Sequence, residues 1–234
     1  MNNNFEVRYA EEIRADATSG MVYGKAIAFN KESTLLGGQF REIIKPSAAT
    51  EEFLSKQTIV MKFNHLPDSV LAKYSPNSQK NSLRWSVDSE GVYFEFRAKK
   101  GDQYIIDSIN AGDLSNCSFS FKISPESGSQ TFEKRSDQTY LRTVTKIEKI
   151  RDFSLVISPA YEDTFVNTRG LDEFKQQEEI EKLKKDAEDI NAEKRKADAG
   201  APVAETIESV PEEVIAIDYS KYEQAITKYK HNNE

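Results

Sequence analysis

The sequence has few of the residues that build disulfides and metal sites, since one cysteine and two histidines occur in 234 residues. One cysteine cannot form a disulfide within the chain, and the sequence shows no cysteine framework of the kind found in small secreted domains. Zinc sites need several such ligands, and one of the two histidines, His231, lies in the terminal HNNE. We therefore expect neither a metal nor another cofactor.

Signals for membranes, secretion and nucleotides are also missing. No apolar run approaches the roughly 20 residues that a membrane span requires. The opening MNNNFEVRYAEEIR has neither the basic region nor the apolar region of a signal peptide. No GxxxxGK[ST] loop or GxGxxG turn is present to bind phosphates. These absences predict a cytoplasmic protein without membrane or nucleotide chemistry.

Charge is distributed unevenly along the chain. Residues 1–170 hold 22 acidic and 22 basic side chains, whereas residues 171–234 hold 17 acidic and 10 basic ones, so the whole net charge of −7 lies in the last quarter. A neutral body without a stripe of Lys and Arg argues against nucleic acid as the main partner. The acidic tail favours solvation or protein partners.

What the sequence does contain predicts a mainly β body with a few helices. In SNCSFSFK, residues 115–122, alternation along a strand would place Cys117 and both phenylalanines on one face, and Ser118 and Ser120 on the other. The segment over residues 82–98 has apolar residues at every second position on both sides of a turn, which is typical of a hairpin. The segment over 101–112 predicts a helix that begins after Asp102 and stops at Gly112.

Four segments are predicted along the chain. Residues 1–170 form the body, 171–198 a charged helical arm, 199–216 a linker and 217–234 a short amphipathic segment. The apolar positions of the arm are too few for a convincing coiled coil, so a solvated helix is favoured over a partner-binding one.

Nucleophilic catalysis is the chemistry that these absences leave open. A serine nucleophile generally needs an imidazole base, and His65 is the one histidine of the body. Ser118 and Ser120 are the serine candidates, whereas Cys117 shares its face with phenylalanines and is predicted to be core packing. Asp152 leaves the segment RDFSLVI, residues 151–157, on the side opposite its apolar face. A Ser-His-Asp arrangement is then possible, and a structural role for the histidine stays open.

Four motifs resemble those of the prohead (procapsid) maturation proteases of tailed bacteriophages, serine peptidases related in fold to the herpesvirus assembly proteases. FREIIKPSA is similar to a Glu-x-Ile-x-Pro-Gly-Ala segment, and FNH to an Asn-His motif. INAGDLSNCSFSF is similar to Gly-x-Leu-x-x-x-Ser-Phe-Gly-Phe, and DFSLVISPAY to Glu-Val-Ser-x-Val-x-x-Pro-Ala-Tyr. The motifs occur in the same order and at the same spacing, over residues 40–48, 63–65, 109–121 and 152–161. The resemblance covers residues 20–169.

The resemblance implies that His65, Ser118 and Asp152 are the catalytic residues. Asp152 stands where the family more often has glutamate, so Glu148 is the alternative acid, and Ser120 stands where glycine is usual and is the alternative nucleophile. The implied fold is a compact β-barrel with flanking helices.

The resemblance also implies a function, a location and partners. The function would be a serine endopeptidase that cleaves scaffold, or the scaffold-like segment of the major capsid protein, and itself. The implied location is inside the immature capsid, in the cytoplasm of a bacterial host. The same resemblance suggests a homodimer, because the related herpesvirus enzymes dimerise to become active.

Two rival hypotheses stay open, and the first comes from a different class of protein. The first is a non-catalytic scaffolding or capsid-assembly protein, in which the barrel is a binding module and the helical tail the main actor. A binding module would have no reason to keep His65, Ser118 and Asp152 together. The second is a cysteine peptidase, which requires the core face of the strand to carry the reactive Cys117.

Overall fold

The computed structural model describes residues 5–11, 13–157 and 169–198. The structure is mainly β, with 44% strand and 23% helix, which confirms the prediction of a mainly β protein with helices. The strands are β1 (Glu6–Glu11), β2 (Ile13–Asp16), β3 (Met21–Ala28), β4 (Phe40–Ile44), β5 (Ile59–Phe63), β6 (Val70–Tyr74), β7 (Leu83–Val87), β8 (Gly91–Arg97), β9 (Leu114–Ile123), β10 (Gln130–Lys134), β11 (Tyr140–Val144) and β12 (Ile147–Ile157). The helices are α1 (Glu51–Ser55), α2 (Gln103–Ala111) and α3 (Arg169–Asp198), and a short 3-10 helix covers Pro46–Ala49.

The strands of the described residues form three sheets. A five-stranded sheet has the order β1-β9-β12-β5-β6, a four-stranded sheet the order β2-β3-β8-β7, and a three-stranded sheet the order β10-β11-β4. In the largest sheet, β12 lies between β9, to which it is antiparallel, and β5, to which it is parallel. The sequence predicted a barrel, but no closed barrel is found in the part of the chain that the structure describes.

The main apolar core joins the five-stranded and four-stranded sheets. Phe119 and Phe121 of β9 stack in it with ring centroids 4.8 Å apart, beside Phe153 of β12. Cys117 lies on the same side of β9 and is fully buried. The prediction that the Cys-Phe-Phe face of SNCSFSFK belongs to the core is therefore confirmed.

The predicted hairpin is confirmed as the antiparallel pair β7 and β8. Its turn is held by Asp88, whose carboxylate accepts hydrogen bonds from the backbone N–H groups of Glu90 and Gly91 at 2.7 and 3.0 Å. A Cβ atom at Gly91 would lie 2.1 Å from the carbonyl oxygen of Ile27 in the neighbouring strand. Glycine is thus required where the turn enters β8.

Helix α2 confirms the predicted helix over 101–112. It ends at Gly112, whose φ of 86° is the left-handed conformation that glycine adopts at helix C-termini. Its apolar positions Ile105, Ile106 and Ile109 are buried in the main core. Asp102 occupies the N-cap position, but its side chain makes no capping hydrogen bond.

The first turns of α3 pack on the three-stranded sheet. Leu171 is fully buried in a small cluster with Leu36, Phe40 and Tyr140. Lys175 adds a hydrogen bond to the side chain of Gln39 at 2.8 Å. The chain divides into two units at Glu181 and Lys182, so these turns belong to the first unit.

Further along α3 the apolar positions face solvent. Ile180 is 51% exposed, Leu183 is 59% exposed and Ile190 is 55% exposed, as expected of a solvated helix. The predicted linker over 199–216 and the amphipathic segment over 217–234 lie outside the described residues.

A buried cluster of four charges links β1 to the three-stranded sheet. Arg8 contacts Glu6 and Glu42, each at 2.7 Å, and Arg142 contacts the same two carboxylates at 2.5 and 2.9 Å. Burial alone would raise the pKa of Glu6, but its hydrogen bonds and charge contacts with Arg142 and Arg8 hold that pKa below its ordinary value. Because β1 pairs with β9, this cluster fixes the strand that lies beside Ser118.

Candidate active site

The two central strands of the five-stranded sheet place four polar side chains on one face. In the antiparallel register of β9 and β12, Ser118 lies opposite Ser154 and Ser120 lies opposite Asp152. Residues directly opposite each other share a face, so all four project away from the phenylalanine side of the sheet. All four are fully buried.

His65 reaches this face from a tight turn at the end of β5. Asn64 and His65 have φ values of 46° and 55°, a left-handed conformation that is uncommon in residues other than glycine and is often found at functional sites. The turn is held by β12, because the His65 N–H donates to the Ser154 hydroxyl at 2.8 Å. The Asn64 N–H donates to the carbonyl oxygen of Leu155 at 2.9 Å. The backbone therefore carries the imidazole back over the polar face.

The three residues that the family resemblance points to lie in one hydrogen-bonded line. His65 Nδ1 is 2.5 Å from Asp152 Oδ1, and His65 Nε2 is 2.8 Å from Ser118 Oγ. The His65 side chain is 20% exposed, whereas the Asp152 side chain is fully buried. Solvent therefore reaches the imidazole and not the carboxylate.

A β-bulge brings Asp152 to the polar face. Ile150 lies opposite Phe121 on the core side, and Asp152 lies opposite Ser120, so Arg151 is an extra residue in β12 with no counterpart in β9. Bulges re-aim side chains in this way and are frequent beside active sites. In a regular strand without the bulge, Asp152 would share a face with Ile150 and point toward the core.

Two cations lie near the second oxygen of Asp152. Arg151 Nε is 3.1 Å from Asp152 Oδ2, within hydrogen-bond reach. Lys62 Nζ is 3.8 Å from the same oxygen. A buried carboxylate needs such partners, because an isolated charge away from water is costly.

Glu148, the alternative acid, lies elsewhere on β12. It pairs with Lys122 at 2.8 Å, and its side chain is 41% exposed. The carboxylate that contacts the His65 ring is that of Asp152.

The alternative nucleophiles lack the contacts that Ser118 makes. Ser120 Oγ is buried and finds no hydrogen-bond partner among the residues that the structure describes. Cys117 lies on the opposite face of β9, and burial raises the pKa of its thiol well above the ordinary range, so that the reactive thiolate is disfavoured.

An imidazole between a hydroxyl and a carboxylate can accept the hydroxyl proton. The arrangement requires the tautomer in which His65 Nδ1–H donates to Asp152 and Nε2 accepts from the Ser118 hydroxyl. The carboxylate stabilises the imidazolium that forms when the proton moves. The distances are within the range that connects a nucleophile to its base.

The sequence predictions gave no role to Ser154 or Arg151, which support this site. Strand parity places the Ser154 hydroxyl on the face of Asp152, but it gives no sign of the contact with the His65 backbone. Arg151 left no such signal, because neighbours on a regular strand point to opposite faces and the pattern gives no sign of the bulge.

Other regions offer less defined chemistry. A surface cavity of about 550 Å³ is lined by residues of β2, β3, β7 and β8, among them Tyr23, Trp85 and Tyr93, and none of the three aligned residues lines it. Over the described ranges, no group of three or more His, Cys, Asp or Glu side chains could hold a metal ion. No described helix is both long enough and apolar enough to cross a membrane.

Comparison with known protein families assigns most of the chain to one family. The model of the caudovirus prohead serine proteases matches residues 3–177, about three quarters of the sequence. The chain belongs to this family. Membership implies a serine protease with a general role in viral capsid maturation. For a prohead protease, the implied substrates are capsid or scaffold proteins. Searches of curated proteins and of solved structures found no match.

Proposed function

We propose that this prohead protease is a serine endopeptidase whose catalytic residues are Ser118, His65 and Asp152. The observation that supports the proposal most strongly is the contact of one imidazole with both the Ser118 hydroxyl and the buried Asp152 carboxylate, at 2.8 and 2.5 Å. Ser118 is the nucleophile, His65 the general base and then the general acid, and Asp152 the group that orients the imidazole.

The reaction proceeds through an acyl-enzyme. Ser118 Oγ attacks the carbonyl carbon of the scissile peptide bond, while its proton moves to His65 Nε2. As the C–N bond breaks, the imidazolium returns this proton to the departing amine. Water then attacks the Ser118 ester, with His65 taking the proton from water and returning it to the serine oxygen as the acid product leaves.

The proposed substrates are the scaffold, or the scaffold-like segment of the major capsid protein, and the protease itself. The proteolysis takes place inside the immature capsid in the cytoplasm of the bacterial host. AGAPVAET, residues 199–206, is the proposed region of self-cleavage, because it follows the charged helix and is rich in small residues. A homodimer and a fold kinship with the herpesvirus assembly proteases stay predictions.

Co-expression with the capsid and scaffold proteins of the same virus tests this function. We expect cleavage by the natural chain, with Ser118→Ala and His65→Ala each abolishing it. Ser115→Ala is the matched control, since Ser115 is an exposed serine on the same strand. Intact mass spectrometry of the same samples should show a shortened chain that disappears in Ser118→Ala.

Unchanged cleavage in both Ser118→Ala and His65→Ala would overturn the peptidase assignment and favour the non-catalytic scaffolding protein. If mass spectrometry shows only the full-length chain, and the Ser118→Ala sample gives the same mass pattern, the proposal of self-cleavage is wrong.

A further inference from the structure

Arg151 and Asp152 make a contact that a regular strand does not allow. Neighbouring residues on a strand point to opposite faces, so an Arg and an Asp in sequence would lie on different sides of the sheet. The bulge between Ile150 and Asp152 removes this restriction. Arg151 Nε consequently lies 3.1 Å from Asp152 Oδ2, on the polar face of β12.

The two oxygens of the Asp152 carboxylate have different partners. Oδ1 contacts the His65 ring and Oδ2 contacts the Arg151 guanidinium, so that both ends of the carboxylate plane are held. The described ionisable groups within reach of it are His65 and Lys62, from β5 and its turn, and Arg151 on β12 itself. From β9, the facing side chains are the hydroxyls of Ser118 and Ser120.

The Arg151 guanidinium also contacts an aromatic ring. Its central carbon lies 4.9 Å from the ring centroid of Phe5, just before β1, within the range of a cation–π contact. The Arg151 side chain is 38% exposed, so its removal would leave no large cavity in the core. Its position is thus set by the bulge, by a carboxylate and by an aromatic face.

We propose that Arg151 is a positioning residue for the proposed peptidase reaction, holding the Asp152 carboxylate in the orientation that aligns His65 with Ser118. The inference rests on the proposed function for its kinetic consequences.

Kinetics of Arg151→Met and Arg151→Lys on a cleavable peptide from the capsid or scaffold substrate test the proposal. For Arg151→Met, we expect kcat to fall about tenfold or more with KM nearly unchanged, because a misplaced base slows the chemical step and not binding. Arg151→Lys should restore part of kcat. Arg84→Met is the control, since Arg84 is an exposed cation on the four-stranded sheet.

A wild-type kcat in Arg151→Met would overturn the positioning role. Equal losses of kcat in the Met and Lys variants would also contradict it. Thermal unfolding of each variant, measured beside Arg84→Met, separates a loss of fold from a loss of alignment.

A second readout needs no catalysis. The chain has two histidines, so His231→Gln leaves His65 as the sole source of imidazole signals in the full chain. In a Ser118→Ala, His231→Gln background, we expect a downfield proton resonance for His65 Nδ1–H, which Arg151→Met shifts or broadens and Arg151→Lys retains. An unchanged resonance in Arg151→Met contradicts the proposal. If Ser118→Ala leaves cleavage intact while Arg151→Met still alters the resonance, the proposed function is wrong and the positioning of Asp152 stands.

Discussion

At the scale of single residues, the two oxygens of Asp152 decide how the site is arranged. One contacts an imidazole and the other a guanidinium, and the carboxylate between them is shielded from water. Sequence motifs indicated His65, Ser118 and Asp152, because such motifs record which residue types recur at which spacing. They left Glu148 open as the acid, since spacing alone does not say which carboxylate faces the ring.

Asp152→Asn should abolish most of the activity while leaving the fold intact. An amide can donate to His65 Nδ1, which would favour the wrong tautomer and leave Nε2 unable to accept the serine proton. We expect kcat to fall by about a thousandfold or more. Glu148→Gln is the matched control and should behave as the natural chain, because Glu148 pairs with Lys122 at the surface. A larger loss in Glu148→Gln than in Asp152→Asn would reverse the assignment of the acid.

At the scale of elements, strand alternation predicted most faces correctly and failed where the register shifts. The hairpin, α2 and the core face of β9 follow from apolar spacing and turn residues, which are local properties. Ile157 has the same strand parity as the buried Leu155 but is 53% exposed, because the register of β12 shifts just before it. Such shifts depend on the partner strand and cannot be read from the strand's own sequence.

The turn that carries His65 shows the same limit and gives a prediction. Its left-handed residues are held by Ser154 across the sheet, a contact between residues 89 positions apart in sequence. We expect Ser154→Ala to lower the free energy of unfolding by about 1 kcal/mol, since one hydrogen bond is lost, and to lower kcat as well. Denaturant unfolding and cleavage assays would measure the two effects.

Ser69→Ala is the control for that prediction. The Ser69 hydroxyl accepts from the Phe63 N–H at 2.9 Å, a bond of the same kind that holds the end of β5 without touching His65. Ser69→Ala should lower the free energy of unfolding by a similar amount and leave kcat unchanged. Equal kcat values for the Ser154 and Ser69 variants would show that the Ser154 contact supports only the fold.

At the scale of the whole molecule, the site depends on an arrangement of sheets that could not be predicted from the sequence. Charge counts identified a neutral body and an acidic tail, but they gave no sign that Glu6, Arg8, Glu42 and Arg142 meet in the interior. Glu42 and Arg142 lie far from the Glu6 and Arg8 pair in sequence, and all four look like ordinary surface charges. The cluster joins β1, the neighbour of the Ser118 strand, to β4 and β11.

The buried cluster predicts a specific pH dependence of stability. The pKa of Glu6 is lower in the folded chain than its ordinary value of 4.5, so its contribution is fully present above 4.5 and is lost as the pH falls through the folded value. Glu6→Gln should lower the free energy of unfolding near neutral pH by about 3 kcal/mol, because it removes one partner of a buried ion pair. At acid pH, the difference in the free energy of unfolding between Glu6→Gln and the natural chain should become smaller.

Glu52→Gln provides the comparison for this prediction. Glu52 is an exposed carboxylate of α1 that pairs with Lys56, so its replacement should change stability little. Urea unfolding at several pH values measures both variants. A Glu6→Gln variant as stable as Glu52→Gln near neutral pH would contradict a stabilising role of the cluster.

The central claim, that Ser118 is a nucleophile activated by His65, is tested most directly by covalent labelling. The full chain would be treated with a fluorophosphonate, and the adduct would be located by tandem mass spectrometry. The account predicts one adduct on Ser118, strongly reduced in His65→Ala and absent in Ser118→Ala. An adduct on Ser120 or Cys117 instead, or no adduct on a preparation that cleaves its substrate, would contradict it.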